Sequence, residues 1–374
     1  MKFYVERKDI LKRILIGADI VPTVKNYQYF KAGDAATLLG DELKAVFARS
    51  DYRIFNLETP LTDRCEPILK TGPNLAAPAY CIAGYKAMDI DLLAVANNHI
   101  MDQGRAAFRE TLELLTANGI DYIGGGLTRE EAKKPKVIVL EGKKIGVYNA
   151  CEHEFSWIDD YGIGANGFDP LESLDEIAEL KKQCDYVIVL YHGGREHYPY
   201  PSPLLQKTCR KIAEKGADLV ICQHTHCIGA REEWCGSEIV YGQGNALFDS
   251  VGGNEIPCWQ TSILVELVLF DGKFSINYIP LRKKGEFTSL SHEPEILDGF
   301  YKRSEEIKEE GFVKRKYTEF VMSEKDTFES YLRLFSNANN LDTKGGAGTK
   351  NLLTCDPHRE FITTYVSELH KLYK

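Results

Sequence analysis

The stretch Asp218-Leu219-Val220-Ile221-Cys222-Gln223-His224-Thr225-His226-Cys227 passes from an apolar run to a polar tip. Leu219 to Cys222 read as a short buried strand. His224 and His226 follow it at a spacing of two, and a turning backbone can aim both imidazoles at one point. Alone, such a pair fits a polar loop as well as a metal site. The same punctuation recurs along the chain, and the recurrence decides the reading. Asp19 follows the apolar residues Ile14 to Ala18. Asn56 and Glu58 follow Tyr52-Arg53-Ile54-Phe55, with Pro60 stopping regular pairing. Asn98-His99 follow the apolar run within 89–96, and His192 follows Tyr186 to Tyr191. Each has a bland local alternative: Asp19 could cap a turn, and Asp102 could cap the helix after it. Together they place ligand-type residues at the carboxyl ends of several strands, where α/β sheets carry their sites.

The set comprises carboxylates, one amide oxygen and imidazoles. Mixed oxygen and nitrogen ligation suits Mn, Fe, Zn or Mg, so divalent ions are the expected cofactor. Glu58 could bridge two ions, clamp a phosphoester and help lower the pKa of a water. His99 directly follows the ligand candidate Asn98, which puts it at the metal edge as a proton donor to a leaving oxygen. Asp102 could orient it. Cys222, Cys227 and Cys235 flank the histidine pair, but a Cys/His zinc site there would draw on Cys222 from inside the strand pattern.

Helical spacing is expected over 34–49, 105–117, 174–182 and 204–215. Hairpins are expected at 137–140 with 144–149 and at 262–270 with 273–279, the second turning on Asp271-Gly272. A strand at 238–242 leads to Asn245. Residues 150–170 read as a long loop over the site. After residue 285 the composition shifts. A charged helix covers 294–310, Ser323 opens another through Ser-x-x-Asp, and 337–351 is a polar, Gly-rich loop. Asp356-Pro357 begins a helix whose apolar face is Phe361, Ile362, Tyr365, Val366, Leu369 and Leu372. The expected division is a main domain, 1–285, and a helical extension, 286–374. The apolar face would bury itself on the main domain or on a partner chain, which leaves a homo-oligomer open.

The 374 residues are 44% apolar, enough for a sizeable core. A net charge of -9 without a basic block speaks against nucleic-acid binding. The N-terminus is charged, and no run approaches the ~18 apolar residues of a membrane span. The ten Cys are scattered, as in a reduced, cytoplasmic protein, which is the expected location.

Four segments carry a resemblance: Asn56-Leu57-Glu58-Thr59-Pro60-Leu61-Thr62; Ala96-Asn97-Asn98-His99-Ile100-Met101-Asp102-Gln103-Gly104; Gly216 to Ile221 running into His224-Thr225-His226; and Gly244-Asn245-Ala246-Leu247-Phe248-Asp249. They resemble the signatures of CapA-type proteins of capsule and poly-gamma-glutamate biosynthesis, in the calcineurin-like metallophosphoesterase superfamily, over roughly 12–285. The resemblance implies a two-sheet sandwich flanked by helices, with a two-metal site at the sheet edge. It implies metal roles for Asp19, Glu58, Asn98, His192, His224 and His226, and a catalytic role for His99. Arg195 and Asn245 are the expected substrate contacts. There are departures: Val21 stands where the first motif has His, Glu58 where the second has Asp, Gly193 where an aromatic follows His, and His197 in another aromatic place. The expectation is a metal-dependent phosphoesterase acting on a phosphoester or polymer. The alternatives are a non-catalytic polymer-assembly factor, which the missing His favours, and a metal-dependent amide hydrolase of a γ-linked polymer.

Overall fold

The computed structural model describes residues 11–158, 161–249, 256–336 and 344–372, with the Leu372 side chain excepted. The charged N-terminal stretch, the first part of the expected loop at 337–351 and the Leu372 side chain therefore lie outside the described residues. Two mixed sheets face each other. The first runs, edge to edge, Phe287–Leu290, Lys273–Lys284, Thr261–Phe270, Lys12–Ile20, Tyr52–Leu57, Leu92–Ala94 and Asp121–Ile123, with Asn245–Leu247 also paired to Lys12–Ile20. The second runs Arg231–Trp234, Ser237–Val240, Leu219–Gln223, Tyr186–His192, Lys143–Cys151 and Lys136–Leu140. Lys12–Ile20, Tyr52–Leu57 and Leu92–Ala94 are parallel neighbours, as are Tyr186–His192 and Leu219–Gln223. The strands that end in candidate ligands therefore point the same way within each sheet.

Alternation builds the layers. Side chains two apart along a strand share a face. Ile14 and Ile16 join Ile54, Leu92, Ile145, Val147, Ile188, Leu190, Leu219 and Ile221 between the sheets. Leu15, Phe55, Leu93 and Val95 face the other way, onto Leu38, Leu39 and Leu43 of the helix Ala35–Ala48 and Phe108, Leu112 and Leu115 of Gly104–Ala117. On the second sheet Val187, Val189, Val220 and Cys222 pack on Ser173–Gln183 and Pro203–Glu214 through Ile177, Leu180, Leu205 and Ile212. The result is the expected four-layer α/β sandwich with helices outside.

The C-terminal region departs from expectation in detail. Its helices are Pro294–Glu306, Phe312–Ser323, Lys325–Ser336, Lys344–Thr354 and Asp356–Leu372. Ser323 ends a helix, and the next starts at Lys325. Residues 344–351 are helical despite their glycines, because Leu352, Gly348 and Thr349 are buried against neighbours and packing overrides propensity. Phe361 and Tyr365 pack with Phe328, Tyr331, Tyr317 and Tyr198 of the same chain, while Val366 is exposed. Among the described residues no helix is long and apolar enough to cross a membrane.

Candidate metal centre

The carboxyl ends of the parallel strands meet where the two sheets approach. Asp19 lies within Lys12–Ile20, Glu58 one residue beyond Tyr52–Leu57, and His192 ends Tyr186–His192. Gln223, the last residue of Leu219–Gln223, donates Nε2–H to the Gly17 carbonyl at 3.1 Å and ties the sheets together here. His224 and His226 then both take left-handed backbone, at φ 85 and 55. A residue with a Cβ adopts that conformation only where its surroundings enforce it, and such strain collects at functional sites.

Two groups result, with Glu58 in both. Asp19, Glu58 and His226 form one, and Glu58, His192 and His224 the other. His226 Nδ1 lies 3.4 Å from Asp19 Oδ2, and His192 Nε2 lies 3.3 Å from Glu58 Oε1. His192 Nε2 is also 3.1 Å from Asn98 Oδ1. Ligands at ~2.0–2.2 Å from an ion stand roughly 3.0–3.4 Å apart, so these spacings are those of a coordination shell. The polar bookkeeping agrees. Asp19 Oδ2, both oxygens of Glu58 and His224 Nδ1 are buried without a hydrogen-bond partner. Buried acceptors normally have one, so this donor set fits divalent ions.

The titration of these groups reflects their crowding. Burial, then the Asp19 charge, pushes the Glu58 carboxyl up to about 8. Burial pulls His192 down to about 4, and burial with the His192 charge pulls His224 down to about 3. Burial also acts against His226, but Glu58 and Asp19 outweigh it and lift the imidazole to about 10. Burial would raise Asp19, yet its contact with His226 holds it below the usual range.

Beside the metal groups, His99 Nδ1 donates to Asp102 Oδ2 at 2.6 Å. Asp102 is not the helix cap; that place belongs to Gln103, and the Asp102 carboxylate also accepts from Lys70 Nζ at 2.5 Å and Leu75 N at 2.6 Å. Lys70 is 1% exposed. Sequence pattern alone does not single it out. Asn97 organises the motif from within: its Oδ1 accepts from His99 N and Ile100 N, and its Nδ2 donates to Asn56 Oδ1. Asn245 presents Oδ1 to His226 Nδ1 at 2.8 Å, so it stands beside the metal groups. Arg195 lies partly in the cavity wall, but its Nη1 donates to Tyr331 Oη at 3.0 Å and its guanidinium lies over Phe361. Val21, in the place of the missing His, packs with Leu75, Phe248 and Trp259. His197 is 6.1 Å from His226, ring centre to ring centre.

A cavity of about 210 Å³ opens over Asn98, His99 and His224, with Lys70 and Arg195 in its wall. Glu152, Glu154 and Phe155, from the expected covering loop, line it, and so do Asn351, Cys355 and His358 from the C-terminal helices.

With this geometry, the sequence matches the family described as bacterial capsule synthesis protein PGA_cap over residues 13–250. The chain belongs to the PGA_cap family. A PGA biosynthesis protein CapA of Bacillus subtilis (strain 168) is 27% identical over 215 residues, 55% of this PGA_cap chain and 56% of that protein. A capsule biosynthesis protein CapA of Bacillus anthracis is 27% identical over 216 residues, 54% of this chain and 51% of that one. A probable polyglutamine synthesis accessory protein of Mycobacterium tuberculosis is 22% identical over 227 residues, 55% and 58% of the two chains. The PGA_cap chain thus spans little more than half the length of these relatives. Among solved structures it is similar to a hypothetical protein of Thermus thermophilus, at a TM-score of 0.47 and 15% identity over 73% of this chain and 100% of that one. It is also similar to a 5'-nucleotidase precursor of the same organism, at 0.41 and 14% over 75% and 54%.

Proposed function

We propose that this chain is a two-metal hydrolase of the phosphoesterase type, acting on an acidic polymer or its precursor. One observation carries the reading: Glu58 is buried between two ligand groups with both oxygens unpartnered. Asp19 and His226 would hold one ion, His192, His224 and Asn98 the other, and Glu58 both. Divalent ions there would supply Lewis-acid polarisation of a phosphoryl oxygen and a lowered pKa for a water. The protein's own part is positioning and proton transfer. Asn97 fixes the backbone that carries His99. His99 Nδ1 is engaged with Asp102, so in the imidazolium form the other ring nitrogen carries the second proton on the cavity side, and that proton would pass to the leaving oxygen. Lys70 donates to the other carboxylate oxygen and so holds Asp102 in place beside the imidazole.

A second reading rests on Val21. An apolar cluster fills the place of the expected first-motif imidazole, which favours a polymer-assembly factor that keeps the fold without turnover. The relatives' names, in PGA and polyglutamine synthesis, make a γ-glutamyl amide the substrate to test beside phosphoesters. Purified protein with added Mn should hydrolyse phosphomonoesters or diesters, and chelation should abolish the activity. Turnover of γ-glutamyl amides alone would establish the amidase reading. No turnover of either class would establish the assembly factor.

A further inference from the structure

Across the cavity from His99 lies a second group of ligand-type side chains. The strand Lys143–Cys151 runs out into Glu152 and Glu154, and the helices Lys344–Thr354 and Asp356–Leu372 meet at Cys355 above them. Glu152, Glu154 and Cys355 are 4%, 8% and 1% exposed. Among the described residues no Lys or Arg lies within ion-pair distance of either carboxylate; their ionisable partners are His224, His358 and the Cys355 thiol. Gly194 N donates to Glu152 Oε2 at 3.0 Å, but no side-chain cation other than imidazole offsets the cost of burying two carboxyl groups together. Glu154, Cys355 and His358 bring one oxygen, one sulfur and one nitrogen within 4.8 Å of one another, and Glu152 and Glu154 do the same with His224.

The distances also suit ligands of one ion. His358 Nε2 stands 3.6 Å from Glu154 Oε1, beyond a side-chain hydrogen bond, and the Cys355 thiol donates a long, weak hydrogen bond to Glu152 Oε1, with sulfur and oxygen 3.8 Å apart. A tetrahedral shell with ~2.0–2.3 Å bonds separates its ligands by about 3.3–3.8 Å. His358 is also held as a ligating histidine is. Its Nδ1 is 2.7 Å from the Tyr331 hydroxyl, which accepts from Arg195 on its other side. Asn351 Nδ2 donates to Glu154 Oε1 at 3.0 Å and steadies the carboxylate.

We propose that Glu152, Glu154, Cys355 and His358 form a third divalent-cation site, zinc-selective in its thiolate and imidazole, which pins the C-terminal helices to the wall of the catalytic cavity. Cys355 and His358 lie beyond the stretch that matches the family. The site adjoins the two-metal centre through His224 but needs none of its ligands. The thiol must ionise on binding, so the ion displaces its proton to solvent.

Cobalt tests this, because a thiolate bound to cobalt gives a near-ultraviolet charge-transfer band that oxygen and imidazole ligands do not. The full chain saturated with cobalt should show the band. Cys355→Ser should abolish it and bind one ion fewer, while His226→Asn should keep it. His358→Gln, which retains the thiol, should weaken zinc retention by about 10-fold or more. Cobalt-saturated wild type without the band, or a band that survives Cys355→Ser, overturns the proposal. Two bound ions without the band leave the two-metal reading standing and remove this one. One bound ion with the band does the reverse.

Discussion

His99 Nδ1 and Asp102 Oδ2 stand 2.6 Å apart, with the Lys70 ammonium 2.5 Å from the other oxygen of the same carboxylate. The three side chains are buried together. Asp102 thus carries two cation-type partners, and each depends on it. Removing one partner of such a buried pair typically costs about 3–5 kcal/mol, because a charge is left uncompensated. Lys70→Met should therefore lower unfolding free energy by about that amount in a denaturant titration at fixed metal. A variant within about 1 kcal/mol of the wild type would show that Lys70 is not coupled to Asp102.

Metal content tests the ligand assignment directly. Wild-type protein reconstituted with Mn should carry two ions at the Glu58 centre, counted by elemental analysis. His192→Ala or His224→Ala should lose most of the ion shared with Glu58 while far-ultraviolet circular dichroism stays unchanged. Metal content equal to wild type in both variants would remove these histidines from the shell.

Metal binding should release protons. At pH 7 Glu58, raised to about 8, is mostly protonated, and His226, raised to about 10, is charged. His192 and His224, pulled to about 4 and 3, are already neutral. Ligation needs a bare carboxylate and a neutral imidazole, so binding should expel about two protons at pH 7. The sign follows: affinity rises with pH, more gently above about 8, where Glu58 has already lost its proton. Toward about pH 4 it drops more steeply, as His192 begins to compete for protons too. Calorimetry with Mn in two buffers of different ionisation enthalpy measures the release. A binding heat independent of buffer at pH 7 would contradict it.

What was legible in the sequence, and what was not, follows from how each residue reaches the site. Asp19, Glu58, Asn98, His192, His224 and His226 each follow an apolar run, and a strand's direction carries its end to the sheet edge. Local pattern is enough for those. Lys70 sits in an irregular loop between Pro60 and the helix Ile82–Ala87, and only tertiary packing brings its ammonium to Asp102. Cys355, at the junction of two helices, and His358, in the second of them, lie far along the chain with no periodic mark. Glu152 was within reach. It directly follows Lys143–Cys151, the strand-end position that singled out the other ligand candidates, but the aperiodic stretch it opens reads as a covering loop. The helix Lys344–Thr354 is hidden by its glycines, since propensity argues for a loop where burial builds a helix.

The apolar face of the last helix should prove indispensable. Phe361 is fully buried, and Tyr365 stacks on Phe328 with ring centres 4.0 Å apart. Removing residues 352–374 would uncover Phe328, Tyr331 and Tyr317, a contiguous apolar patch of the kind that drives association. The truncated chain should aggregate or change its mass in light scattering. Phe361→Ala alone should cost about 3–5 kcal/mol. Unaltered solubility, melting temperature and mass in the truncation would show the packing is dispensable.

The separation of enzyme from scaffold rests on His99. Asn98 faces His192 through its amide oxygen, whereas His99 is bound to Asp102 and lines the cavity. A proton donor there contributes about 10²–10⁴-fold in rate when the leaving oxygen is basic. His99→Asn keeps a polar side chain that cannot give up a proton near neutral pH. It should retain metal and melting temperature and lose about 10²-fold or more on alkyl phosphoesters. The loss should shrink on nitrophenyl esters, whose leaving group departs without protonation. Asp102→Asn should show the same dependence on leaving group, because it frees the His99 ring to turn. Wild-type rates in His99→Asn on both good and poor leaving groups would remove His99 as the acid. A wild-type chain inert toward phosphoesters and γ-glutamyl amides, with its metal bound, would instead make the imidazole part of a binding surface for the polymer.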